Sequence, residues 1–338
     1  MRWEIQCKED EPSFSTLLKD EYSWVCDMLH KEGFVNASPI QTATIPPSLN
    51  GRNILAQSRS GTGKTISFLT LLFAKIKAGF GFQALILSPT RELSNQIYNV
   101  AFALNSHLPK ERRLRFQLLI GGLPIKDDEE KLIENPEVII GTVGRVGLHF
   151  ESKKLAVTFV RLVVLDEADV LIKGKDFRRL FGLIRHEREK RPLQICCYSA
   201  TYSKDNFAKY CRYLYPCLTI NNGCVAANIG NKMTQKERKN YWKEKKGEQL
   251  KKDAIEIMDQ ELIPHEEFGE DKAFGSRQSL NVETLDQYAI ILKPEEGTGT
   301  SFLKLAWIVK ILKSVNFEQC IIFYNDKGRG DQIVAELK

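Results

Sequence analysis

Short apolar segments alternate with longer amphipathic segments through the first two hundred residues of the chain. The apolar segments are rich in Ile, Val and Leu without strict alternation, which is typical of parallel strands buried on both faces. The amphipathic segments have the spacing of helices that cover such a sheet, so the pattern predicts an α/β fold with helices on both faces. Strands are predicted at Asn53–Gln57, Ala84–Ser88, Phe116–Ile120, Glu137–Gly141, Leu162–Asp166 and Gln194–Ser199. Helices are predicted at Thr65–Lys77, Arg91–Ala103, Asp127–Ile133 and Phe177–Ile184.

The pattern changes after about Asn221. Residues 222–282 are rich in Lys and Glu and poor in apolar side chains, which predicts an exposed helix, a flexible insertion or both. Strands are predicted again at Leu285–Leu292 and Gln319–Tyr324, around a helix at Phe302–Leu312. Because one βαβ unit cannot close a hydrophobic core, we expect residues 283–338 to form only the beginning of a second domain.

Composition excludes several classes of protein. With 338 residues, 43% of them hydrophobic and 27% charged, the chain is neither intrinsically disordered nor a small disulfide scaffold. Its eight cysteines form no C-x-x-C pair, so no zinc site is predicted. No apolar segment reaches the length of about 18 residues that crosses a bilayer. We therefore expect no membrane contact and a location in the cytoplasm, the nucleus or both.

The charge is concentrated in one place. Lys and Arg number 49 against 43 Asp and Glu, a net charge of +6. The span from Lys232 to Lys252 holds nine basic and three acidic residues, 9 − 3 = +6, so the rest of the chain is neutral by formal count. Tyr241 and Trp242 lie among these lysines. The span is either a further RNA or protein contact or a solvated insertion between domains.

A phosphate-binding loop is predicted where a strand gives way to a helix, at Ser58–Thr65. Glycines let the backbone amides turn toward phosphate oxygens, a lysine reaches the outer phosphates, and a threonine hydroxyl can ligate magnesium. The usual pattern has glycine where this chain has Ser58, which leaves a Gly-rich turn as the alternative. The candidate nucleotide-binding residues of the loop are Ser60, Gly61, Thr62, Gly63, Lys64 and Thr65.

An acidic motif, Asp166-Glu167-Ala168-Asp169, follows the apolar run Leu162–Leu165. Carboxylates at the carboxyl end of a parallel strand lie where ligands bind in open α/β sheets. Asp166 is positioned to hold magnesium together with Thr65, and Glu167 to position or activate a water molecule. An acidic cluster that stabilises a helix N-terminus is the alternative.

The two motifs together resemble the DEAD-box family of ATP-dependent RNA helicases. The resemblance implies a RecA-like ATP-binding domain at residues 31–221, after a lead-in at residues 1–30, with ATP and Mg2+ as cofactors. It assigns the catalytic roles to Lys64, Asp166 and Glu167. Gly33-Phe34 and Pro39-Ile40-Gln41 resemble the family's adenine-reading motif, which adds Phe34, Gln41 and the upstream aromatic Phe14 to the nucleotide-binding residues.

Further segments follow in the family's order. Three of them resemble its RNA-contacting motifs and imply contacts with the RNA backbone that read no sequence. These are Pro89-Thr90-Arg91 with Glu92-Leu93, the pair Gly121-Gly122, and Thr142-Val143-Gly144-Arg145, with Val143 in place of the family's proline. Ser199-Ala200-Thr201 resembles the motif that couples hydrolysis to strand separation, with Asp169 as its partner. Tyr202 follows this segment, and a tyrosine at this position makes the sequence similar to that of the helicase subunit of the survival-of-motor-neuron complex.

The resemblance implies that ATP hydrolysis in the complete protein is coupled to local RNA duplex unwinding or to remodelling of RNA–protein assemblies, with assembly proteins as further partners. Ile321–Asn325 resembles a strand motif of the second domain. The family's A-R-G-x-D and H-R-x-G-R-x-G-R motifs are not found in the sequence, so this chain alone is expected to hydrolyse ATP poorly. The alternatives are a non-enzymatic assembly scaffold with a helicase-like fold and a P-loop ATPase that acts on DNA or protein.

Overall fold

The computed structural model describes residues 12–187, 192–202, 214, 217–221, 224–229, 300–314, 322 and 334–335. The chain forms two compact units, Met1–Asn281 and Val282–Lys338. In the second unit a helix covers Thr300–Ser314, which confirms the helix predicted at Phe302–Leu312. The two strands predicted beside it, and the motif at Ile321–Asn325, lie outside the described residues apart from Ile322.

The first unit is built on one eight-stranded sheet. Its helices within the described residues are α1 Phe14–Leu17, α2 Ser23–Lys31, α3 Pro39–Leu49, α4 Lys64–Lys75, α5 Arg91–Ser106, α6 Ile125–Leu132, α7 Val143–Glu151, α8 Ala168–Leu171 and α9 Lys175–Glu187. Its strands are β1 Asn53–Gln57, β2 Ala84–Ser88, β3 Phe116–Leu119, β4 Val138–Thr142, β5 Leu162–Asp166, β6 Gln194–Ser199, β7 Cys217–Asn221 and β8 Cys224–Ile229. Short 3-10 helices lie at Asp20–Tyr22 and Lys110–Arg112.

The strand order is β3-β4-β2-β5-β6-β1-β7-β8. The pairings among β1 to β7 are parallel, and β8 pairs with β7 in the antiparallel sense. All six strands predicted in the first two hundred residues are confirmed, with β3 ending one residue earlier and β4 shifted by one. The strand β8 lies where an exposed helix or insertion was predicted, because its short, mostly apolar run Cys224–Ile229 stands at the start of a stretch that is otherwise rich in Lys and Glu.

The sheet has a hydrophobic core on each face, as the α/β pattern predicts. Ile54 and Ala56 of β1 face a core shared with helices α1 to α5. Leu55, between them, faces a second core shared with α7 to α9. Because neighbouring strand residues point to opposite faces, both faces of β1 require apolar side chains. Among the described residues no helix is both long and apolar enough to cross a membrane.

Glu137 fastens the start of β4 to two neighbouring segments. Its carboxylate accepts hydrogen bonds from the backbone N–H of Gly79 at 3.0 Å and of Arg115 at 2.7 Å. The Arg115 guanidinium donates a third at 2.6 Å, although half of its side chain is exposed. Burial by itself would raise the pKa of Glu137, but the hydrogen bonds from Arg115 and Gly79 lower the pKa below its ordinary value.

We expect Glu137→Gln to lower the free energy of unfolding by about 1–3 kcal/mol, since charge-assisted hydrogen bonds are lost while their donors remain. A lowered pKa means that the carboxylate stabilises the folded protein above its ordinary pKa of 4.5 and that this stabilisation is lost as the pH falls below that value. The difference between wild type and variant, measured by urea unfolding, should therefore shrink in acid. Glu130→Gln, at an exposed position, is the control and should be neutral.

Candidate functional site

The predicted site residues lie at one edge of the sheet, where the parallel strands end. The strand order divides this edge into two halves. In one half, β5, β6 and β1 are neighbours and end at the acidic motif, the Ser-Ala-Thr motif and the phosphate loop. In the other half, β3, β4 and β2 are neighbours and lead into the three segments predicted to contact RNA. The fold thus separates nucleotide candidates from RNA candidates, and it joins the phosphate loop to the acidic motif although the RNA candidates lie between them along the chain.

The phosphate loop connects β1 to α4 and depends on two glycines with positive φ. Gly61 has φ +78° and Gly63, the residue before α4, has φ +96°. These left-handed conformations are costly for residues with a Cβ atom. The turn places the amino end of α4 at the sheet edge, where its free N–H groups and dipole favour an anion.

The loop is closed on itself by side chains. Lys64 Nζ donates hydrogen bonds to the carbonyl oxygens of Ser58 and Arg59, both at 2.7 Å. The hydroxyls of Ser58 and Thr62 are 2.6 Å apart, so the serine that departs from the usual pattern takes part in the loop's own bonding. Burial lowers the pKa of Lys64, and the carboxylates of the acidic motif oppose this shift. Phosphate oxygens could replace both carbonyls as acceptors for the ammonium group.

Gln41 contacts the phosphate loop directly. Its side chain, only 5% exposed, accepts a hydrogen bond from the Ser38 N–H at 2.8 Å through Oε1 and donates one to the Gly63 carbonyl at 3.1 Å through Nε2. The Ser38 hydroxyl donates to the Thr62 carbonyl at 2.7 Å. An amide has two N–H groups and two lone pairs on its oxygen, so Gln41 can hold the loop and still pair with one edge of a base.

Phe14 does not have the exposure expected of a nucleotide-binding aromatic. Its ring is fully buried in the core, and its N–H donates to the Val35 carbonyl at 3.0 Å. The ring therefore has no face available for stacking on a base, because the core already covers it. Phe14 instead supports the segment that carries Phe34, whose side chain is half-buried. Position in the sequence could not distinguish a stacking ring from a core ring.

Asp166 ends β5 as a buried carboxyl group. Burial raises the pKa of Asp166 from its ordinary value of 3.8 to about 6, while Lys64 and a hydrogen bond from the Glu167 N–H act in the opposite direction. Glu167 has φ 48° and ψ 48°, a left-handed conformation that is rare for a residue with a side chain. Such strain persists where the surroundings impose it, commonly at functional sites.

Asp169 joins the acidic motif to the Ser-Ala-Thr segment. Its Oδ1 accepts a short hydrogen bond from the Ser199 hydroxyl, and its Oδ2 accepts one from the Thr201 hydroxyl at 2.8 Å. Ser199 also accepts the Ser58 N–H at 3.0 Å through its carbonyl, which ties it to the phosphate loop. The structure therefore brings together Asp169, Ser199 and Thr201, as the resemblance implied.

Two contacts in this half were not predicted. Gln57 Nε2 donates to the Ala200 carbonyl at 3.2 Å, and Ser38 links α3 to the phosphate loop. Gln57 is 5% exposed and ends a strand that is otherwise apolar after its first residue. A polar side chain at the end of a buried strand is the signal that could have identified Gln57. Ser38 and Gln41 have the S-x-x-Q spacing of a capping box, which signals the start of α3 but not the contact of Ser38 with the phosphate loop, because that contact is formed only in the folded chain.

In the other half of the edge, Arg91 lies against the glycine pair. Both Thr90 and Arg91 are exposed after the half-buried Pro89, and the Thr90 hydroxyl accepts the Leu93 N–H at 3.2 Å as the cap of α5. A Cβ atom on Gly122, which has φ +92°, would lie 2.5 Å from Arg91 Nη1, and one on Gly121 would lie 3.2 Å from Nη2. The glycines therefore allow the guanidinium to approach the backbone closely.

Arg145 is not placed as an RNA-contacting side chain. It is 7% exposed, and its Nε donates to Asp128 Oδ2 at 2.5 Å. Its Nη2 donates to the carbonyl oxygens of Leu123 and Pro124 at 2.7 and 2.8 Å. The guanidinium thus makes its hydrogen bonds inside the protein, and the half-buried Thr142 lies at the N-cap position of α7 without a side-chain hydrogen bond to the helix. Through its bonds to the two carbonyls, Arg145 supports the turn after the glycine pair.

The donor set suits magnesium bound together with phosphate. Within the described part of the chain, no three His, Cys, Asp or Glu side chains converge on a possible metal site. Asp166 supplies one carboxylate, and Thr65, the residue after Lys64, supplies a hydroxyl group. Both are hard oxygen ligands. Mg2+ in nucleotide sites uses one or two protein oxygens and takes its other ligands from phosphates and water. The residues present fit that mode of binding.

Comparisons with known proteins agree with this geometry. DEAD-box ATP-dependent RNA helicase RhpA of Helicobacter pylori is 34% identical over 195 residues, which cover 56% of this chain and 37% of that protein. RNA helicase CrhR of Synechocystis is 38% identical over 180 residues, covering 53% of this chain and 35% of that protein. The chain thus matches little more than a third of the length of these relatives.

Solved structures show the same fold. A DEAD box protein from the hyperthermophile Methanococcus jannaschii has a TM-score of 0.55 at 28% identity, covering 62% of this chain and 56% of that one. Dbp5 of Saccharomyces cerevisiae, bound to RNA and ADP BeF3, has a TM-score of 0.53 at 27% identity, covering 62% and 51%. The DEAD/DEAH box helicase model matches residues 38–209, half of the sequence. The chain therefore belongs to the DEAD/DEAH box helicase family.

Proposed function

We propose that the chain is the ATP-binding part of an RNA helicase, which binds ATP with Mg2+ on one half of the sheet edge and the RNA backbone on the other. The observation that carries the proposal is the division of that edge. Along the chain the three RNA candidates lie between the phosphate loop and the acidic motif, yet the strand order brings these two together in a phosphate-binding half and leaves the RNA candidates in a half with exposed Thr90 and Arg91. In the complete protein, hydrolysis would drive local duplex unwinding or remodelling of RNA–protein assemblies.

In the nucleotide half, Gln41 and Phe34 would receive the adenine, and the amides of Gly61 to Thr65 the phosphates. Lys64 would exchange its two carbonyl acceptors for phosphate oxygens. Bound magnesium, held by Asp166 and Thr65, would supply charge stabilisation to the phosphates. Glu167, fixed by its strained backbone beside Asp166, would orient the attacking water.

The contact of Asp169 with Ser199 and Thr201 supports a coupling role. The Ser199 carbonyl holds the first residue of the phosphate loop, and the Ser199 hydroxyl holds the acidic motif. A displacement of either motif would therefore move the other. A static scaffold would not need a lysine desolvated among three carboxylates, which costs free energy, so the enzymatic proposal is favoured over the scaffold.

The proposal is tested by nucleotide and RNA binding to the 338-residue chain. We expect Lys64→Ala to weaken binding of a fluorescent ATP analogue about 10- to 100-fold, because a charge-assisted hydrogen bond contributes about 1.5–3 kcal/mol. Lys77→Ala, at an exposed position just after α4, is the control and should bind as wild type does. Binding that is unaffected by Lys64→Ala would contradict the phosphate assignment.

The RNA half of the proposal is tested by comparing RNA with DNA. Single-stranded RNA should bind the chain, while DNA of the same sequence should bind it much more weakly, since 2′-hydroxyl contacts distinguish the two. Equal effects of DNA would favour a P-loop ATPase that acts on other polymers. Binding of neither polymer, with intact ATP binding, would remove the RNA half of the proposal.

A further inference from the structure

A buried charged cluster lies beneath the RNA-facing half of the sheet edge. It consists of Asp128 on α6 and of Arg145 and His149, one turn apart on α7. Their side chains are 2%, 7% and 1% exposed, respectively. One carboxylate oxygen, Asp128 Oδ2, is 2.5 Å from Arg145 Nε and 3.0 Å from His149 Nε2. A single carboxylate thus connects the two helices that follow the glycine pair and Thr142.

Arg145 extends this connection to the backbone of the turn after the glycines. One nitrogen, Nη2, reaches the carbonyl oxygens of both Leu123 and Pro124. The planar guanidinium can hold the carboxylate and these carbonyls at once because its donors point in fixed directions. Lysine has the same charge but lacks this fork, so it could not make the same set of bonds.

Stability alone is a weak reason for such a cluster. Removing charges from water costs several kcal/mol per ion, and well-packed apolar residues commonly stabilise a core as well or better. What the cluster does, and apolar side chains could not, is fix the direction of two backbone carbonyls. Those carbonyls follow Gly121 and Gly122, the segment against which the exposed Arg91 also lies.

We propose that Asp128, Arg145 and His149 position the RNA-facing backbone, and that Arg145 acts from inside the protein instead of contacting phosphate. The proposal rests on the proposed function, since it concerns the RNA half of the same edge. His149 completes the cluster as a second hydrogen-bond partner of the Asp128 carboxylate. The three are positioning residues, and they set the relation between the turn at 121–124 and the start of α7.

The two roles of Arg145 predict opposite results for Asp128→Asn. If Arg145 bound phosphate, loss of its internal partner would free the guanidinium, and RNA binding would be kept or strengthened. If the cluster positions the turn, Asp128→Asn should weaken binding of a fluorescent oligouridylate about tenfold, equivalent to about 1.4 kcal/mol. Asp127→Asn is the matched control, because it removes the same charge from an exposed neighbouring position of α6.

Arg145→Lys provides a second test that does not depend on Asp128. A direct phosphate contact would largely survive this change, whereas positioning would not, so we expect about tenfold weaker RNA binding. The slope of log affinity against log salt concentration should stay as in wild type. For Arg145→Ala, loss of a direct contact with single-stranded RNA would instead reduce the slope by about 0.7.

Each variant is first checked by thermal melting and by binding of the fluorescent ATP analogue. Weakened RNA binding with normal ATP binding and an unchanged salt slope supports the cluster's positioning role. Undiminished RNA binding by Arg145→Lys, or a reduced salt slope for Arg145→Ala, overturns it. If Asp128→Asn does not melt cooperatively, Arg145→Lys decides. A wild-type chain that binds no RNA contradicts the proposed function itself, which distinguishes the two failures.

Discussion

Replacing Asp166 by asparagine is expected to stabilise the ligand-free protein while removing its ATP hydrolysis. Burial raises the pKa of this carboxyl to about 6, from an ordinary value of 3.8. At neutral pH the folded protein therefore contains a carboxylate that would be more stable in water. The amide has nearly the same shape and no charge. The raised pKa already includes the opposing attraction of Lys64, so we expect a net gain of about 1–3 kcal/mol.

The pH dependence gives this prediction a definite sign. A carboxyl with a raised pKa binds more protons in the folded than in the unfolded state, so wild-type stability falls as the pH rises from 3.8 toward about 6. The Asp166→Asn variant has no carboxyl group at this position, so its stability does not fall in this way as the pH rises. The difference in melting temperature should therefore be largest near neutral pH and vanish below pH 4. Asp176→Asn, at an exposed position on α9, should show no such gain.

Asp166→Asn should lower ATP hydrolysis although it raises stability. A metal-binding carboxylate contributes several kcal/mol of charge stabilisation through the ion it holds, so we expect turnover to fall at least about a thousandfold. The measurement is ATP hydrolysis by wild type and variant at saturating Mg2+ and single-stranded RNA. Unchanged turnover would show that the assignment of this carboxyl to the metal is wrong, and a less stable Asp166→Asn protein would contradict the destabilising effect of the buried carboxylate.

Gly63→Ala is the second change with a large expected effect. An added Cβ atom would lie 2.3 Å from Gln41 Nε2 and 3.1 Å from its Cδ, so the buried amide would have to move. The backbone at φ +96° adds strain of about 1–2 kcal/mol for any residue with a Cβ. Loss of the two Gln41 hydrogen bonds adds about 1 kcal/mol each. We expect the free energy of unfolding to fall by about 3–4 kcal/mol and ATP binding to be lost.

Substitutions of two other glycines separate the backbone strain from the steric contact with Gln41. Gly61→Ala shares the positive φ but meets no atom within 4 Å, so it should show the strain alone. Gly144→Ala has neither feature and replaces glycine in α7, where alanine favours the helix by up to about 1 kcal/mol. Urea unfolding and titration with the fluorescent ATP analogue measure all three. Equal effects of Gly61→Ala and Gly63→Ala would contradict the steric contact with Gln41.

Much of the architecture follows from the sequence, because local patterns reflect local physics. Six buried strands were predicted from continuous apolar runs, four of them with the bounds that the structure shows at β1, β2, β5 and β6. The other two differed by one residue, β3 at its end and β4 by a shift of both ends. The phosphate loop was located because its glycines and lysine must be adjacent in sequence to wrap one anion. The strand β8 was missed, since its six-residue, mostly apolar run lies at the edge of a segment that is otherwise rich in Lys and Glu.

Only part of the candidate site could be predicted from the sequence. Residue types and spacing identified Lys64, Asp166 and Glu167, whose chemistry depends on what each side chain is. The burial and the contacts of each side chain could not be predicted from the sequence. Phe14 and Arg145 matched the expected pattern but are buried, one in the core and one between a carboxylate and two carbonyls. Burial depends on neighbours that are distant along the chain.

What the sequence determined by itself is the set of elements and the chemistry at their ends, because both depend on residues close together in the chain. Only the tertiary structure decided how those ends are grouped. The order β3-β4-β2-β5-β6-β1 places the phosphate loop beside the acidic and Ser-Ala-Thr motifs, although the three RNA candidates separate them along the sequence. Strand order is set by the packing of the whole sheet against its helices, and no single segment contains that information.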